Sequence, residues 1–272
     1  MRRLVVLGAL VFGLAGCGGG DPPPSPPKPL PKVLRIVFPE GFTREQMTQR
    51  VGAVRQIAKV KRRVTMRMTP AAYHRATGLA PIPKQFRKDA EGQIEGFLFQ
   101  ATYAFFHTER APRFVRKQLR AFGKAWRQVD MRYARSKNLT PYDVLIIASM
   151  IEREVVLPRE RPLVAAVIYN RLRAGMPLGI DATLRYGLRI PPTEPITQSD
   201  LDSDSLFNTR KRPGLPPTPI ANPGLAAMQA AAHPAKVDYI YFIRKPDCRS
   251  HFFTASDSEF LAYSRQGLQC GG

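Results

Sequence analysis

Two glutamates in the middle of the chain, Glu152 and Glu154, carry the side chains best suited to acid–base chemistry. A helix turns by about 100° per residue, so their carboxyls would point about 200° apart and could not enter the same cleft. Glu152 follows Leu145 by seven residues and Ala148 by four, which places it on the face that those apolar residues share. Because an apolar environment raises the pKa of a carboxyl, Glu152 is the candidate general acid.

The segment before these glutamates is predicted to be a buried helix. Thr140, Pro141 and Asp143 combine an N-cap, a proline at the first helical position and an acidic residue in the first turn. Residues 144–151 carry apolar side chains on every face, which is typical of a helix at the centre of a domain. The same sequence also fits a structural alternative, in which Glu152 is solvated or paired with a neighbouring arginine.

Around this helix, the hydrophobic periodicity predicts an α+β fold. A small α/β module at 33–88 would precede a larger mixed domain at 89–272, with the buried helix at the centre of that domain. The predicted strands are 33–38, 64–68, 239–243 and 251–254, and the predicted helices are 44–51, 54–60, 111–136, 159–174, 225–232 and one that begins at Pro70. Residues 175–187 are predicted to be a loop, and residues 189–223 a long irregular segment.

The first residues have the composition of an export signal. A basic start precedes an apolar run at 4–15, which is too short to cross a membrane as a helix. The four residues that end at Cys17, Leu-Ala-Gly-Cys, resemble the bacterial lipobox. The pattern predicts a lipoprotein signal peptide at 1–16, a lipidated Cys17 and a Gly/Pro-rich tether at 17–32. The alternative is an ordinary signal peptide with an incidental cysteine.

The chain is strongly basic, with 42 Lys and Arg against 21 Asp and Glu and a formal net charge of +21. An exported protein meets anionic lipid headgroups and wall polymers, so nucleic acid is not expected as a partner. An arginine-rich surface that is merely solvated would carry the same charge. Cys248 and Cys270 could form a disulfide in an oxidising compartment or remain as two thiols. No spacing of Cys and His indicates a metal site.

A series of short sequence blocks runs along the chain. They are Glu95-Gly96-Phe97-Leu98-Phe99, Ile151-Glu152-Arg153-Glu154, Tyr169-Asn170-Arg171-Leu172, Gly175-Met176-Pro177-Leu178, Asp181-Ala182-Thr183-Leu184-Arg185-Tyr186-Gly187, Gly214-Leu215-Pro216-Pro217, Pro219-Ile220-Ala221-Asn222-Pro223-Gly224 and Tyr239-Ile240-Tyr241-Phe242. In this order they resemble the YceG/MltG family of endolytic murein transglycosylases. The resemblance covers residues 34–262, and the chain departs from the family pattern at Gln100, Ala101, Val155, Arg210 and Thr218.

This resemblance implies cleavage of the β-1,4 bonds between N-acetylmuramic acid and N-acetylglucosamine inside glycan strands, with 1,6-anhydromuramic ends as products. It implies that Glu152 acts first as acid and then as base, that the N-terminal module is LysM-like, and that the reaction needs no cofactor or metal. Hydrogen bonds to sugar or N-acetyl groups are then expected from five residues, each of which could equally be a loop or cap residue. They are Asn170, Asp181, Thr183, Tyr186 and Asn208.

The expected partners are the glycan strands of peptidoglycan and a membrane reached through the lipidated Cys17. Peptidoglycan synthases are a further expectation that rests on the family alone. The expected location is the extracytoplasmic face of the bacterial cell envelope. Two alternatives share this location: a non-catalytic peptidoglycan-binding lipoprotein, and a hydrolase that uses water in place of the C6 hydroxyl of the sugar.

Overall fold

The computed structural model describes residues 31–267, which form a mixed α+β fold. The predicted signal peptide, the predicted lipidation site Cys17, most of the tether and Cys270 lie outside the described residues. The helices are α1 (Arg44–Arg62), α2 (Pro70–Gly78), α3 (Ala111–Trp126), α4 (Arg132–Ser136), α5 (Pro141–Glu154), α6 (Arg161–Arg173), α7 (Asp181–Leu188), α8 (Gln198–Leu201), α9 (Leu225–Ala232) and α10 (Asp257–Arg265). The strands are β1 (Val33–Val37), β2 (Thr102–Phe106), β3 (Tyr241–Arg244) and β4 (His251–Thr254).

Two antiparallel strand pairs form the sheets of the described chain, β1 with β2 and β3 with β4. In the first pair, Ile36 lies opposite Tyr103, and Leu34 and Ile36 face the core while their neighbours in β1 are exposed. This alternation is the one expected of a strand with one buried face. The strand β2 lies beyond the boundary predicted after residue 88, so the N-terminal module shares its sheet with the segment that follows. The LysM-like character of residues 33–88 stays a prediction.

Helix α5 lies at the centre of the core, as the sequence predicts. Thr140 and Asp143 form a reciprocal capping box: the Thr140 hydroxyl accepts from the Asp143 amide at 3.2 Å, and the Asp143 carboxylate accepts from the Thr140 amide at 2.8 Å. Every residue from Val144 to Ile151 is buried. The helix packs against α9, α6 and α7. These contacts fix the last turn of α5, in which both candidate glutamates lie.

Helix α1 is continuous where the sequence predicts two separate helices. Gly52 lies inside it, and a Cβ atom at this position would be 3.3 Å from Cγ of Pro70 at the start of α2. The glycine therefore allows α1 and α2 to approach closely and does not end the helix. Thr43 and Gln46 form a capping box at the N-terminus of α1.

The predicted helix at 111–136 is divided into α3 and α4. Helix α3 ends at Trp126, and the Asp130 carboxylate then accepts from the Arg132 amide at 2.9 Å at the start of α4. A carboxylate bonded to the backbone two residues ahead favours a turn over a continued helix.

Two other expectations were wrong. The predicted strand at 64–68 forms no ladder. The Arg67 amide donates to the His107 carbonyl oxygen just after β2 at 2.7 Å, and the Val64 amide donates to the Ala58 carbonyl oxygen in α1 at 3.0 Å, so no run of strand-to-strand bonds forms. The predicted loop at 175–187 contains helix α7. The remaining predicted helices and strands are present, with ends shifted by about two residues or fewer. Within residues 31–267, every helix is too short or too polar to span a bilayer.

Candidate active site

The carboxyl of Glu152 lies half-buried in the last turn of α5. Its Oε2 atom accepts a hydrogen bond of 2.8 Å from the backbone amide of Gly224, which caps the N-terminus of α9. Burial raises the pKa of Glu152, and the neighbouring carboxylate of Glu40 raises it further, while the Gly224 amide, Arg161 and Arg153 lower it. The pKa stays above its ordinary value, as a general acid requires.

The turn after β1 brings Glu40 to Glu152. Gly41 has a positive φ of 75°, and a Cβ atom there would lie 3.5 Å from Cγ of Glu152. The carbonyl oxygen of Gly41 accepts from Nη1 of Arg153 at 3.3 Å. The turn is thus packed against the last turn of α5. Local sequence patterns could not have revealed that Glu40 lies near Glu152, since more than a hundred residues separate them in the chain.

A second buried carboxyl, Glu95, joins three other segments of the chain. It accepts from the Arg44 amide at 3.0 and 3.1 Å, from Nδ2 of Asn222 at 2.6 Å and from the Tyr186 hydroxyl at 3.3 Å. Burial raises the pKa of Glu95 to about 7, despite the opposing effect of these hydrogen bonds and of the Arg44 charge. The sequence analysis placed Glu95 in a motif block and gave it no chemical role.

A groove of about 1360 Å³ opens over Glu95. Its walls come from the start of α1, the segment 89–95, helix α7 with the loop that follows it, and the segment 217–220. The polar lining residues include both signs of charge. Besides Glu95, the acidic and basic residues among them are Arg44, Glu45, His74, Asp89, Glu91, Arg153, Arg185 and Arg189. Arg153 lines this groove, whereas the Glu152 carboxyl is turned toward Gly224.

Glu154 occupies a separate environment on the other side of α5. Its Oε2 atom lies 3.8 Å from Nη2 of Arg244, and only 14% of its side chain is exposed. Burial raises the pKa of Glu154, and the nearby Arg244 lowers it. This geometry agrees with the expectation that one helix directs the two carboxyls to different places.

Two of the five predicted sugar-binding residues reach accessible surface. The Tyr186 side chain lines the groove over Glu95. Asp181 begins α7 and forms an ion pair of 2.6 Å with Arg210, in which both side chains are 46% exposed. A hydrogen bond from either residue to a ligand stays a prediction.

The other three predicted sugar-binding residues are buried and engaged with the protein. Nδ2 of Asn170 donates to the carbonyl oxygens of Val237 and Tyr239, both at 2.9 Å. The Thr183 hydroxyl donates to the Ile180 carbonyl oxygen, and Nδ2 of Asn208 donates to two backbone carbonyl oxygens in the loop around α8. In this structure these three side chains stabilise loops. Thr183 and Asn208 are completely buried and present no polar atom at the surface, so their contact with sugar stays a prediction.

The part of the chain from residue 31 to residue 267 contains no group of three or more His, Cys, Asp and Glu side chains that could hold a metal ion. The predicted disulfide depends on Cys270, which lies outside the described residues, so this pairing stays a prediction.

Residues 26–266 match the sequence model of the YceG-like family. The chain belongs to this family. The crystal structure of a YceG-like protein from Listeria monocytogenes has a TM-score of 0.67 and 26% sequence identity to this YceG-like chain, over 84% of this chain and 75% of that one.

Curated relatives of this YceG-like chain include two proteins named endolytic murein transglycosylase. The one from Bacillus subtilis (strain 168) is 34% identical over 160 residues, which is 59% of this chain and 44% of that protein. The one from Streptococcus pneumoniae (strain ATCC BAA-255 / R6) is 30% identical over 244 residues, which is 83% of this chain and 42% of that protein. The chain therefore matches less than half the length of each of these relatives.

Proposed function

We propose that this protein is an endolytic lytic transglycosylase that cleaves the β-1,4 bonds between N-acetylmuramic acid and N-acetylglucosamine within peptidoglycan strands. The observation that carries the proposal is the half-buried carboxyl of Glu152, whose pKa is raised by burial and which is held by the Gly224 amide. The names of the curated relatives and membership in the YceG-like family support the same reaction.

In the proposed reaction, protonated Glu152 donates its proton to the glycosidic oxygen as the bond from C1 of N-acetylmuramic acid to that oxygen breaks. The C6 hydroxyl of the same sugar then forms a bond to C1, and its proton returns to the Glu152 carboxylate. The products are a 1,6-anhydro end and a free C4 hydroxyl, and no water is consumed. A single carboxyl is sufficient for this cycle, whereas most glycosidases need two carboxyls in catalytic roles.

The experiment that tests this proposal is mass spectrometry of the muropeptides released from denuded glycan strands. The full chain is expected to give anhydromuramic ends, and Glu152→Gln is expected to give none. Glu154→Gln is the matched control, because it makes the same substitution on the same helix at a carboxyl that faces Arg244. Loss of product in Glu154→Gln alone would contradict the assignment of the acid.

The same measurement separates the two alternatives. Ordinary reducing ends would indicate a hydrolase that uses water. Binding of glycan without cleavage by a folded protein would indicate a non-catalytic peptidoglycan-binding lipoprotein.

We also propose that the protein acts at the extracytoplasmic face of the cell envelope and is anchored there by lipid on Cys17. The proposal rests on the lipobox-like sequence that ends at this residue and on the Gly/Pro-rich stretch that follows. Peptidoglycan synthases remain proposed partners at the level of the family. If Cys17 carries the anchor, Cys17→Ser should move the protein from the membrane fraction to the supernatant, and an unchanged distribution would contradict the anchor.

A further inference from the structure

A second cavity, of about 560 Å³ and open to solvent, is lined by the turn after β1, the start of β2 with the residues before it, and the first turns of α9. Its polar lining comes mainly from Glu40, Gln100 and Gln229, and its apolar lining includes Phe38 and Leu225. The cavity is separate from the groove over Glu95, and the two have no lining residue in common.

The Gln100 side chain is the unusual feature of this cavity. It is 5% exposed, and neither Oε1 nor Nε2 has a hydrogen-bond partner among residues 31–267. Buried side-chain amides in folded proteins are nearly always paired, because an unpaired polar group gives up its hydration without compensation. An amide with both its donor and its acceptor free is therefore suited to a ligand that offers one of each.

Glu40 lines the same cavity as this amide. Its side chain is exposed and makes no hydrogen bond or ion pair with the rest of the described chain. A Cβ atom placed on Gly224 would meet the Glu40 carboxylate and would lie 3.2 Å from Nε2 of Gln100. Both groups therefore approach the same point in front of Gly224, whose amide holds Glu152. Exposed side chains change rotamer within nanoseconds, so the Glu40 carboxylate can adjust to a ligand at Gln100.

We propose that Gln100 and Glu40 form a subsite for an N-acetylhexosamine unit of a glycan, next to Glu152. This ligand class rests on the proposed function. An acetamido group offers one N–H donor and one carbonyl acceptor, which complement Oε1 and Nε2 of Gln100. The Glu40 carboxylate accepts hydrogen bonds from sugar hydroxyls, and Phe38 and Leu225 provide apolar surface for the C–H face of the ring. The absence of a side chain at Gly224 leaves room for the two polar groups.

The experiment measures binding by titration calorimetry, with the full chain carrying Glu152→Gln so that no ligand is cleaved. The probes are chitotetraose and cellotetraose, which share a β-1,4-linked backbone and differ in the acetamido groups. The parent protein is expected to prefer chitotetraose. Gln100→Leu is expected to weaken chitotetraose binding about tenfold and to leave cellotetraose binding unchanged.

Thermal stability distinguishes a ligand-binding role from a structural one. Leu fills the volume of Gln without an unpaired amide, so Gln100→Leu should unfold at the same temperature as the parent or higher. Gln56→Leu is the matched control at an exposed position outside the cavity, and it should leave binding unchanged. Glu40→Ala is a second variant, which removes an exposed side chain without a partner and should weaken chitotetraose binding roughly threefold.

The proposal of this subsite is wrong if the parent protein shows no preference for chitotetraose. It is also wrong if a folded Gln100→Leu or Glu40→Ala variant binds chitotetraose as tightly as the parent does. Failure of the proposed function gives a different pattern. In that case chitotetraose binding would still depend on Gln100, and glycan strands treated with the wild-type chain would carry no anhydromuramic ends.

Discussion

Nδ2 of Asn222 donates a 2.6 Å hydrogen bond to the buried carboxyl of Glu95, two residues before the Gly224 amide that holds Glu152. Asn222 also joins the turn before α1, since its Nδ2 donates to the Phe42 carbonyl oxygen at 2.9 Å. Asn222 thus joins Glu95 in the groove and the turn before α1 to the segment whose Gly224 amide holds Glu152.

Replacing this asparagine should destabilise the fold. Asn222→Ala removes one hydrogen bond each from the Glu95 carboxyl and the Phe42 carbonyl. It also leaves the buried Leu98 amide without the Oδ1 acceptor that it reaches at 2.8 Å. We expect a loss of roughly 2–4 kcal/mol in the free energy of unfolding, measured in urea. Gln56→Ala, at an exposed position, should change it by less than about 0.5 kcal/mol. If Asn222→Ala changed the free energy of unfolding by as little as Gln56→Ala, the hydrogen bonds of Asn222 would contribute little to stability.

Glu95 should make the fold less stable as pH rises toward neutrality. Its pKa is about 7 in the folded protein against an ordinary value of 4.5, so the folded state binds the proton more tightly than the unfolded state. The resulting stabilisation is fully present below pH 4.5 and is lost as pH rises through about 7. At about 1.4 kcal/mol per unit of pKa, the loss is about 3 kcal/mol.

The measurement is the free energy of unfolding at pH 5 and at pH 8, for the wild type and for Glu95→Gln. The variant removes the titration of Glu95 and leaves the other carboxyls in place, so its decrease over this range should be smaller by roughly 2–3 kcal/mol. Parallel pH dependence in the two proteins would contradict the raised pKa.

Glu40 should extend activity to higher pH, because its charge raises the pKa of Glu152. The groups that act on the charge of Glu152 are Glu40, which raises its pKa, and Arg153 and Arg161, which lower it. In Glu40→Gln the repulsion is absent, so Glu152 loses its proton at lower pH. The alkaline limb of the kcat profile should move to lower pH, with kcat little changed at low pH.

Two further observations check this prediction. Asp238→Asn removes one negative charge at an exposed position that is not among the charges acting on Glu152, and it should not move the profile. High salt should reduce the difference between the wild type and Glu40→Gln, because Glu40 is exposed. A ¹³C NMR titration of the Glu152 carboxyl gives its pKa without reference to activity, and an equal pKa in both proteins would refute the role of Glu40.

Gly224→Ala should reproduce the effect of Glu40→Gln. The φ of Gly224 is −75°, which alanine adopts without strain, but its Cβ would displace the Glu40 carboxylate. Stability should fall by less than about 1 kcal/mol, as for alanine at an N-cap, while the pKa of Glu152 falls. In Gly123→Ala, where a Cβ meets nothing within 4 Å, the pKa of Glu152 should stay at the wild-type value. A wild-type pH profile in Gly224→Ala would show that the displaced carboxylate does not act on Glu152.

The sequence predicts those features that depend on residues close together in the chain. The cap at Thr140, the buried character of α5 and the different directions of the Glu152 and Glu154 carboxyls were predicted from helix geometry and were found in the structure. Local patterns gave wrong predictions where tertiary contacts determine the structure. Gly52 is a point of close helix packing and does not end α1, and residues 64–68 alternate like a strand but pair with no other strand.

The candidate site could be predicted only in part, because it is assembled from distant segments. Glu152 was identified from its place on a helix face. Glu40, Glu95 and Gln100 gain their significance from contacts with residues such as Asn222 and Gly224, far along the chain, and no local periodicity records such contacts. The sugar-binding candidates Thr183 and Asn208 came from the family resemblance. Both side chains are buried and donate hydrogen bonds to backbone carbonyl oxygens of their own loops.

The pairing of β1 with β2 bears on how this protein can be divided. A fragment that begins at residue 89 would expose the hydrogen-bonding edge of β2 and would lack Glu40, because β1 and the turn after it lie upstream. Unpaired strand edges promote association between chains. Removing the segment before residue 89 would therefore take away both the strand that pairs with β2 and the Glu40 carboxylate that raises the pKa of Glu152.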